Sequence, residues 1–170
     1  MKSKIIIDEL IKIVSKDFQN DQKVPYFSGQ NKKNFVYIDK DSKSGPNFEF
    51  GDLRVEFKNV RVIVEVDTAG GVTNLAKYFF MLNEKEKFNF NDIEPDKSTY
   101  LLHIFVCKNE TDYLAHRKLW FYIQNNIKNE LDADKFISKM EVWYTDESKS
   151  ETNEQVKTKF ENLLKEARKK

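Results

Sequence analysis

The sequence predicts an α/β (α+β) fold, a central mixed β-sheet flanked by helices, and two patterns carry that prediction. Residues 51–67 alternate apolar and polar side chains as a hairpin does, and Tyr100–Cys107 is a nearly continuous apolar run suited to a buried central strand. Between and around them, apolar residues recur at helical spacing over 3–18, about 72–82, 111–130 and 152–168. With 170 residues and 39% hydrophobic content, residues 1–170 are expected to form one domain with a substantial core.

The first helix presents Ile6, Ile7, Leu10, Ile13 and Val14 as its apolar stripe, with Glu9 off it. Residues 19–46 are rich in Asn, Asp, Lys, Ser and Gly and contain one expected strand, 35–38. Here Lys32, Lys33, Lys40 and Lys43, with Tyr26, Phe27 and Tyr37, could touch a nucleic-acid backbone and stack on bases. Ordinary solubility charge is the alternative.

The hairpin follows from register. A reversal at Lys58-Asn59 pairs Phe57 with Val60, Val55 with Val62 and Leu53 with Val64, which makes one face wholly apolar. The other face sets Glu56 opposite Arg61, Arg54 opposite Ile63 and Asp52 opposite Glu65, with Asp67 two residues beyond Glu65. Asp52, Glu65 and Asp67 thus converge at the end remote from the turn. Carboxylates packed together take up protons, pair with cations or hold a metal ion, and oxygen ligands on strand ends suit magnesium or manganese. The plain alternative is three surface acids balanced by Arg54, Arg61 and Lys77.

Thr68-Ala69-Gly70-Gly71 then turns into a helix starting near Val72 or Thr73. Its spacing puts Val72, Leu75, Ala76, Phe79 and Leu82 on an apolar face and Thr73, Asn74, Lys77 and Tyr78 on a polar one. If the apolar face packs on the sheet, Lys77 can reach back to the carboxylates.

Asp52, then Glu65-Val66-Asp67 at the end of the next strand, then a helix with Asn74 and Tyr78 four apart, resembles the PD-(D/E)XK nuclease superfamily. The resemblance covers roughly residues 46–82 directly. It implies a restriction-endonuclease-like core of helix, three strands, helix and strand, here with an extra C-terminal strand and helix. It also implies that Asp52 and Glu65, helped by Asp67 or a backbone carbonyl, hold one or two Mg2+ (or Mn2+) ions. Asn74 and Tyr78 stand where some exonuclease branches carry Gln and Tyr, and the first helix often adds an acid, here Glu9. Gly51 replaces the family's proline, and Asp67 stands where its catalytic lysine is expected. Lys77 is the candidate replacement, orienting water or neutralising developing charge.

The implied activity is a metal-dependent nuclease acting on nucleic acid, DNA first, of the restriction, repair or defence endonuclease type. The alternative is a nuclease-fold module without turnover that binds nucleic acid or assembles with protein. Alanine at Asp52 or Glu65 is expected to remove cleavage and leave the fold intact. A homodimer able to cut both strands is compatible with a small domain of this kind.

Other classes find little support. One cysteine, Cys107, excludes a disulfide framework within the chain, and two histidines make no zinc cluster. No Gly-x-Ser-x-Gly elbow or Gly-Lys-Ser/Thr phosphate loop occurs. No signal-peptide pattern or run of membrane-spanning length is present, so the cytoplasm is the expected compartment and no membrane partner is expected. A formal charge of +1 gives no overall pull towards nucleic acid. His103, among apolar neighbours, reads as a hydrogen-bonded core histidine. Tyr113, Leu119, Trp120, Ile123 and Ile127 read as core of their helix, 140–144 as a strand, and Val156, Phe160, Leu163 and Leu164 as the stripe of the last helix.

Overall fold

The structure, a computed structural model, describes residues 2–17, 24–29, 31–41, 43–69, 73–130 and 135–170. Gly70, Gly71 and Val72, with which the expected turn and helix start begin, lie outside the described residues, as do residues 18–23.

Helix α1 (Lys2–Asp17) leads into three short strands, β1 (Tyr26–Ser28), β2 (Phe35–Tyr37) and β3 (Asn47–Glu49). The long hairpin follows as β4 (Leu53–Glu56) and β5 (Val60–Asp67), then α2 (Thr73–Asn83), β6 (Ser98–Cys107), α3 (Leu114–Glu130), β7 (Phe136–Tyr144) and α4 (Ser150–Lys169). Five strands form one mixed sheet in the order β1-β4-β5-β6-β7, antiparallel from β1 to β5 and parallel from β5 to β7. Four helices flank it, as the α/β (α+β) class requires. Among the described residues no helix is long and apolar enough to cross a membrane.

The hairpin register is the expected one: Leu53 faces Val64, Val55 faces Val62 and Glu56 faces Arg61. Phe57 N donates to Val60 O at 2.9 Å and closes the turn. The apolar face packs with Ile6, Ile7, Leu10 and Val14 of α1 and Val156, Phe160, Leu163 and Leu164 of α4. On β6 the two-residue period sends Tyr100, Leu102 and Ile104 to that core and Leu101, Phe105 and Cys107 to a second one, under α2 and α3.

Four expectations are corrected. The strand at 35–37 does not join the main sheet: it pairs with β3 as a separate ribbon, and Tyr26–Ser28 takes the edge beside β4. Three residues are too few to show a period, so β1 left no pattern to read. The charged hairpin face is covered rather than wet. Arg54 and Arg61 are both buried, Arg54 stacking on Phe27 at 4.4 Å and Arg61 on Phe50 at 5.2 Å, and burial pushes the Arg61 guanidinium down to about 10. On α2 the inward residues are Leu75, Tyr78 and Met81, which turns Tyr78 into the core, while Phe79 and Leu82 are only partly buried. On α3, Trp120 and Ile127 are buried but Leu119 is exposed.

Gly51 is where β4 approaches β5 too closely for a side chain. Its φ is +97°, and a Cβ there would lie 2.5 Å from Ile63 Cγ2 and 3.1 Å from Leu53 O. Gly51→Ala is therefore expected to lose roughly 2 to 4 kcal/mol, read as a lower urea midpoint. An unchanged midpoint would mean that the backbone follows another course before β4.

Candidate functional site

Gly51 bends the chain out of the ladder, and the next side chain takes the place of the missing backbone partner. Asp52 Oδ2 accepts a hydrogen bond from Val66 N at 2.7 Å. The carboxylate thus sits at the mouth of β5, beside Glu65. Burial, then the charge of Glu65, pushes the Asp52 carboxyl up to about 6.

Glu65 is buried on the sheet face that α2 covers. Its Oε1 accepts from Lys77 Nζ at 2.6 Å and from the Tyr78 hydroxyl. Lys77 Nζ also donates to the Glu49 carbonyl at 3.1 Å, and stands 4.7 Å from the centre of the Tyr78 ring. Tyr78 is fully buried against Phe50, with ring centres 5.3 Å apart, and burial together with Glu65 holds its phenol well above its ordinary pKa. The reach of Lys77 back from the helix, expected from spacing, is met through a buried contact.

Of the cations that might have balanced the acids, Lys77 alone does so at this site. Arg54 pairs with Glu56 at 2.8 Å, and Arg61 donates to the Glu94 carbonyl. Asp67 points elsewhere. Its Oδ1 accepts from Ala69 N at 2.8 Å, and its Oδ2 lies 3.8 Å from His103 Nε2. His103 Nδ1 accepts from Trp120 Nε1 at 3.0 Å, the hydrogen-bonded core histidine expected from its neighbours. A neutral imidazole so bonded carries its proton on Nε2, facing Asp67.

Glu9 is not brought to Asp52. It pairs with Lys157 of α4 at 2.6 Å and borders a cleft of about 480 Å3 with Ile5, Ile6 and Trp143. Its neighbour Asp8 instead lines a cleft of about 300 Å3 with Ser3, Lys4, Ile7, Ser28, Gly29 and Asp52. Asn74 is half-buried one turn before Tyr78. Two acids were missed in the sequence, Asp8 and Glu49. Glu49 contributes to raising both Asp52 and Tyr78. Its signal was the alternation Phe48-Glu49-Phe50 immediately before Gly51-Asp52, which marks an acid on the face opposite two aromatics.

No family model, curated protein or solved structure matches the chain. The site is therefore read from its own chemistry. It offers a pair of neighbouring carboxylates, one kept partly protonated near pH 6, and an ammonium shared between Glu65 and a backbone carbonyl. Among the described residues no three His, Cys, Asp or Glu side chains are grouped to hold a metal ion. A cation bound here would rest on two carboxylates from one side. That is the usual manner of magnesium, which keeps several waters and takes its remaining ligands from substrate oxygens.

Of the loop residues expected to touch nucleic acid, Lys32, Lys33, Lys40 and Lys43 are exposed, and Tyr26 is accessible. Tyr37 is buried and Phe27 carries Arg54, so neither is free to stack on a base.

Proposed function

We propose that this chain is a divalent-metal-dependent nuclease of the PD-(D/E)XK type that hydrolyses phosphodiester bonds of nucleic acid, DNA foremost. The observation that carries the reading is the contact of Lys77 Nζ with Glu65 Oε1 at 2.6 Å, beside an Asp52 carboxyl raised to about 6. An ammonium delivered from the helix to Glu65 supports Lys77 as the substitute for the lysine that the strand lacks. The order of elements feeding the main sheet, α1, three strands, α2 and a parallel strand, supports the same reading.

The donor set fits a hard cation. Its side-chain donors are all carboxylate oxygens, and a divalent ion would offset both the burial and the repulsion from Glu65 that raise Asp52. Asp52 and Glu65 would hold magnesium or manganese, which when bound stabilises charge on a phosphoryl oxygen and lowers the pKa of water. Lys77 neutralises charge developing at the phosphate, while the Tyr78 hydroxyl fixes the orientation of Glu65. Asp67 secures the turn after β5 through Ala69.

The test incubates the protein with labelled linear and circular, single- and double-stranded DNA and with RNA, in magnesium, manganese or a chelator. Cleavage is expected only with metal, and Lys77→Met is expected to slow it by roughly two to three orders of magnitude. Cleavage that persists in chelator, or that Lys77→Met leaves unchanged, would remove the assignment.

A second reading has its own observation. Asp67 occupies the lysine position and is engaged with Ala69, and Glu65 is already held by Lys77 and Tyr78. A nuclease-fold module without turnover would bind nucleic acid equally with and without magnesium, and would cut none of the substrates.

A further inference from the structure

Strand β7 is an outer strand of the main sheet, and at 9 residues it is a far longer edge than β1 with 3. Its backbone bonds β6 through alternate residues. Thr99 N donates to Lys135 O at one end and Thr145 N to Cys107 O at the other, so the odd-numbered residues of β7 face β6. The N–H and C=O groups of Ser138, Met140, Val142 and Tyr144 therefore point away from the sheet. The chain covers both ends of this edge with its own side chains. Gln124 Nε2 donates to the Ser138 carbonyl, while Asn153 accepts from Tyr144 N at 2.8 Å and donates to Tyr144 O at 2.7 Å. Between these caps, no described residue bonds the backbone groups of Met140 and Val142.

We infer that this open edge receives an extended segment of a partner protein, which joins the sheet beside β7 with apolar side chains towards α3 and acidic ones towards α4. Unpaired strand groups in a row are met by another strand, whose main chain supplies the hydrogen bonds and whose alternate side chains supply the specificity. The two flanks of the edge set that alternation. On the α3 face, Met140 and Val142 are half-buried beside the second core. Above them, Trp120 meets His103 of β6, and Gln124, about 40° further round the helix, meets Ser138 of β7. Phe121 and Leu114 continue in the same sense, at about 100° and 120° from Trp120, and so overhang the open side of the strand. They are 49% and 44% exposed.

The α4 face is polar. Glu141 is held by Lys159 at 2.7 Å, whereas Lys139 is exposed and no described acid pairs with it. Side chains of an added strand on this face lie beside Lys139, where Asp or Glu is favoured and Lys or Arg is repelled. The same charge selects a partner over a second copy. The β7 edge of another copy would set against Lys139 either the same exposed lysine or a glutamate that Lys159 already holds.

The experiment begins with residue-resolved amide hydrogen exchange on the full chain at low concentration, where Met140 and Val142 should exchange roughly a hundredfold faster than Glu141 and Trp143. A phage-displayed library of random peptides is then selected on the same chain. Retained sequences should alternate apolar and acidic residues without proline in the alternating run, and as synthetic peptides they should slow exchange at Met140 and Val142. Val142→Pro removes an N–H that β6 does not use and should abolish binding. Phe121→Ser, at an exposed position, should weaken binding roughly tenfold and keep the wild-type thermal midpoint. Met140 and Val142 amides as slow as their neighbours in the free chain, or a library from which nothing is retained, would overturn the inference. So would peptides that leave those amides fast or bind Phe121→Ser as tightly as wild type. Protection that appears only as the chain's own concentration rises would also overturn it and assign the edge to a second copy.

Discussion

Glu65→Ala is expected to lose about 3 kcal/mol of stability as well as any metal-dependent cleavage. The sequence alone suggested that alanine here would leave the fold intact, but the structure places Glu65 as the shared acceptor of two buried donors. Removing it strands the fully buried Tyr78 hydroxyl and leaves Lys77 only the Glu49 carbonyl. Glu65→Gln keeps an acceptor oxygen for both and should retain most of the stability while losing the charge needed for a cation. Unfolding in urea separates the two variants, and cleavage assays should find both inactive. An alanine variant as stable as wild type would show that Glu65 does not anchor α2.

Asp52→Asn is expected to do two opposite things: abolish cleavage and stabilise the protein at neutral pH. The folded carboxyl lies at about 6 against 3.8 for the ordinary group, with burial the largest cause. Its folded pKa is raised, so the stability it allows is fully present below about pH 4 and is lost as pH rises to about 6. Above that the ionised carboxylate costs on the order of 2 to 3 kcal/mol, reduced by whatever water reaches it. Asparagine can still accept from Val66 N while carrying no charge. Its thermal midpoint near neutral pH should therefore exceed wild type by several degrees, with the gap closing below about pH 4. Magnesium should raise the wild-type midpoint, most strongly above about pH 6 where Asp52 is ionised, and leave the variant unmoved. A variant less stable than wild type at neutral pH, or one that magnesium stabilises equally, would contradict this account of Asp52.

These results bear on residues that the sequence indicated with uneven success. Asp52, Glu65 and Lys77 were legible because each follows from a period: two along β4 and β5, and about 3.6 along α2. The fall of Asp67 away from the other acids was not legible. Register puts it on the Glu65 face, but the turn at Ala69 draws one of its oxygens into a backbone cap. Glu9 was singled out by its place off the apolar stripe, yet the helix rotation that buries Ile6, Ile7 and Leu10 sends it to Lys157 and puts Asp8 on the Asp52 cleft. One position along a helix is a turn of about 100°, finer than an apolar stripe can fix.

The sequence by itself determined the hairpin and its register, the buried central run of β6 with His103 and Cys107 inside it, and the stripe of α4. In the hairpin and α4 the burial of one face leaves a period that a shift of one residue would destroy, and in β6 the burial of both faces leaves a continuous apolar run. Only the tertiary structure decided which short segment joins the sheet edge, that Arg54 and Arg61 are enclosed, that Tyr78 points inward to Glu65, and that Leu119 faces out. Those outcomes depend on contacts between segments far apart in the chain: Phe27 on Arg54, Phe50 on Arg61 and Tyr78, Lys77 on the Glu49 carbonyl. Such contacts are set by how the layers close on one another, and no local pattern encodes them.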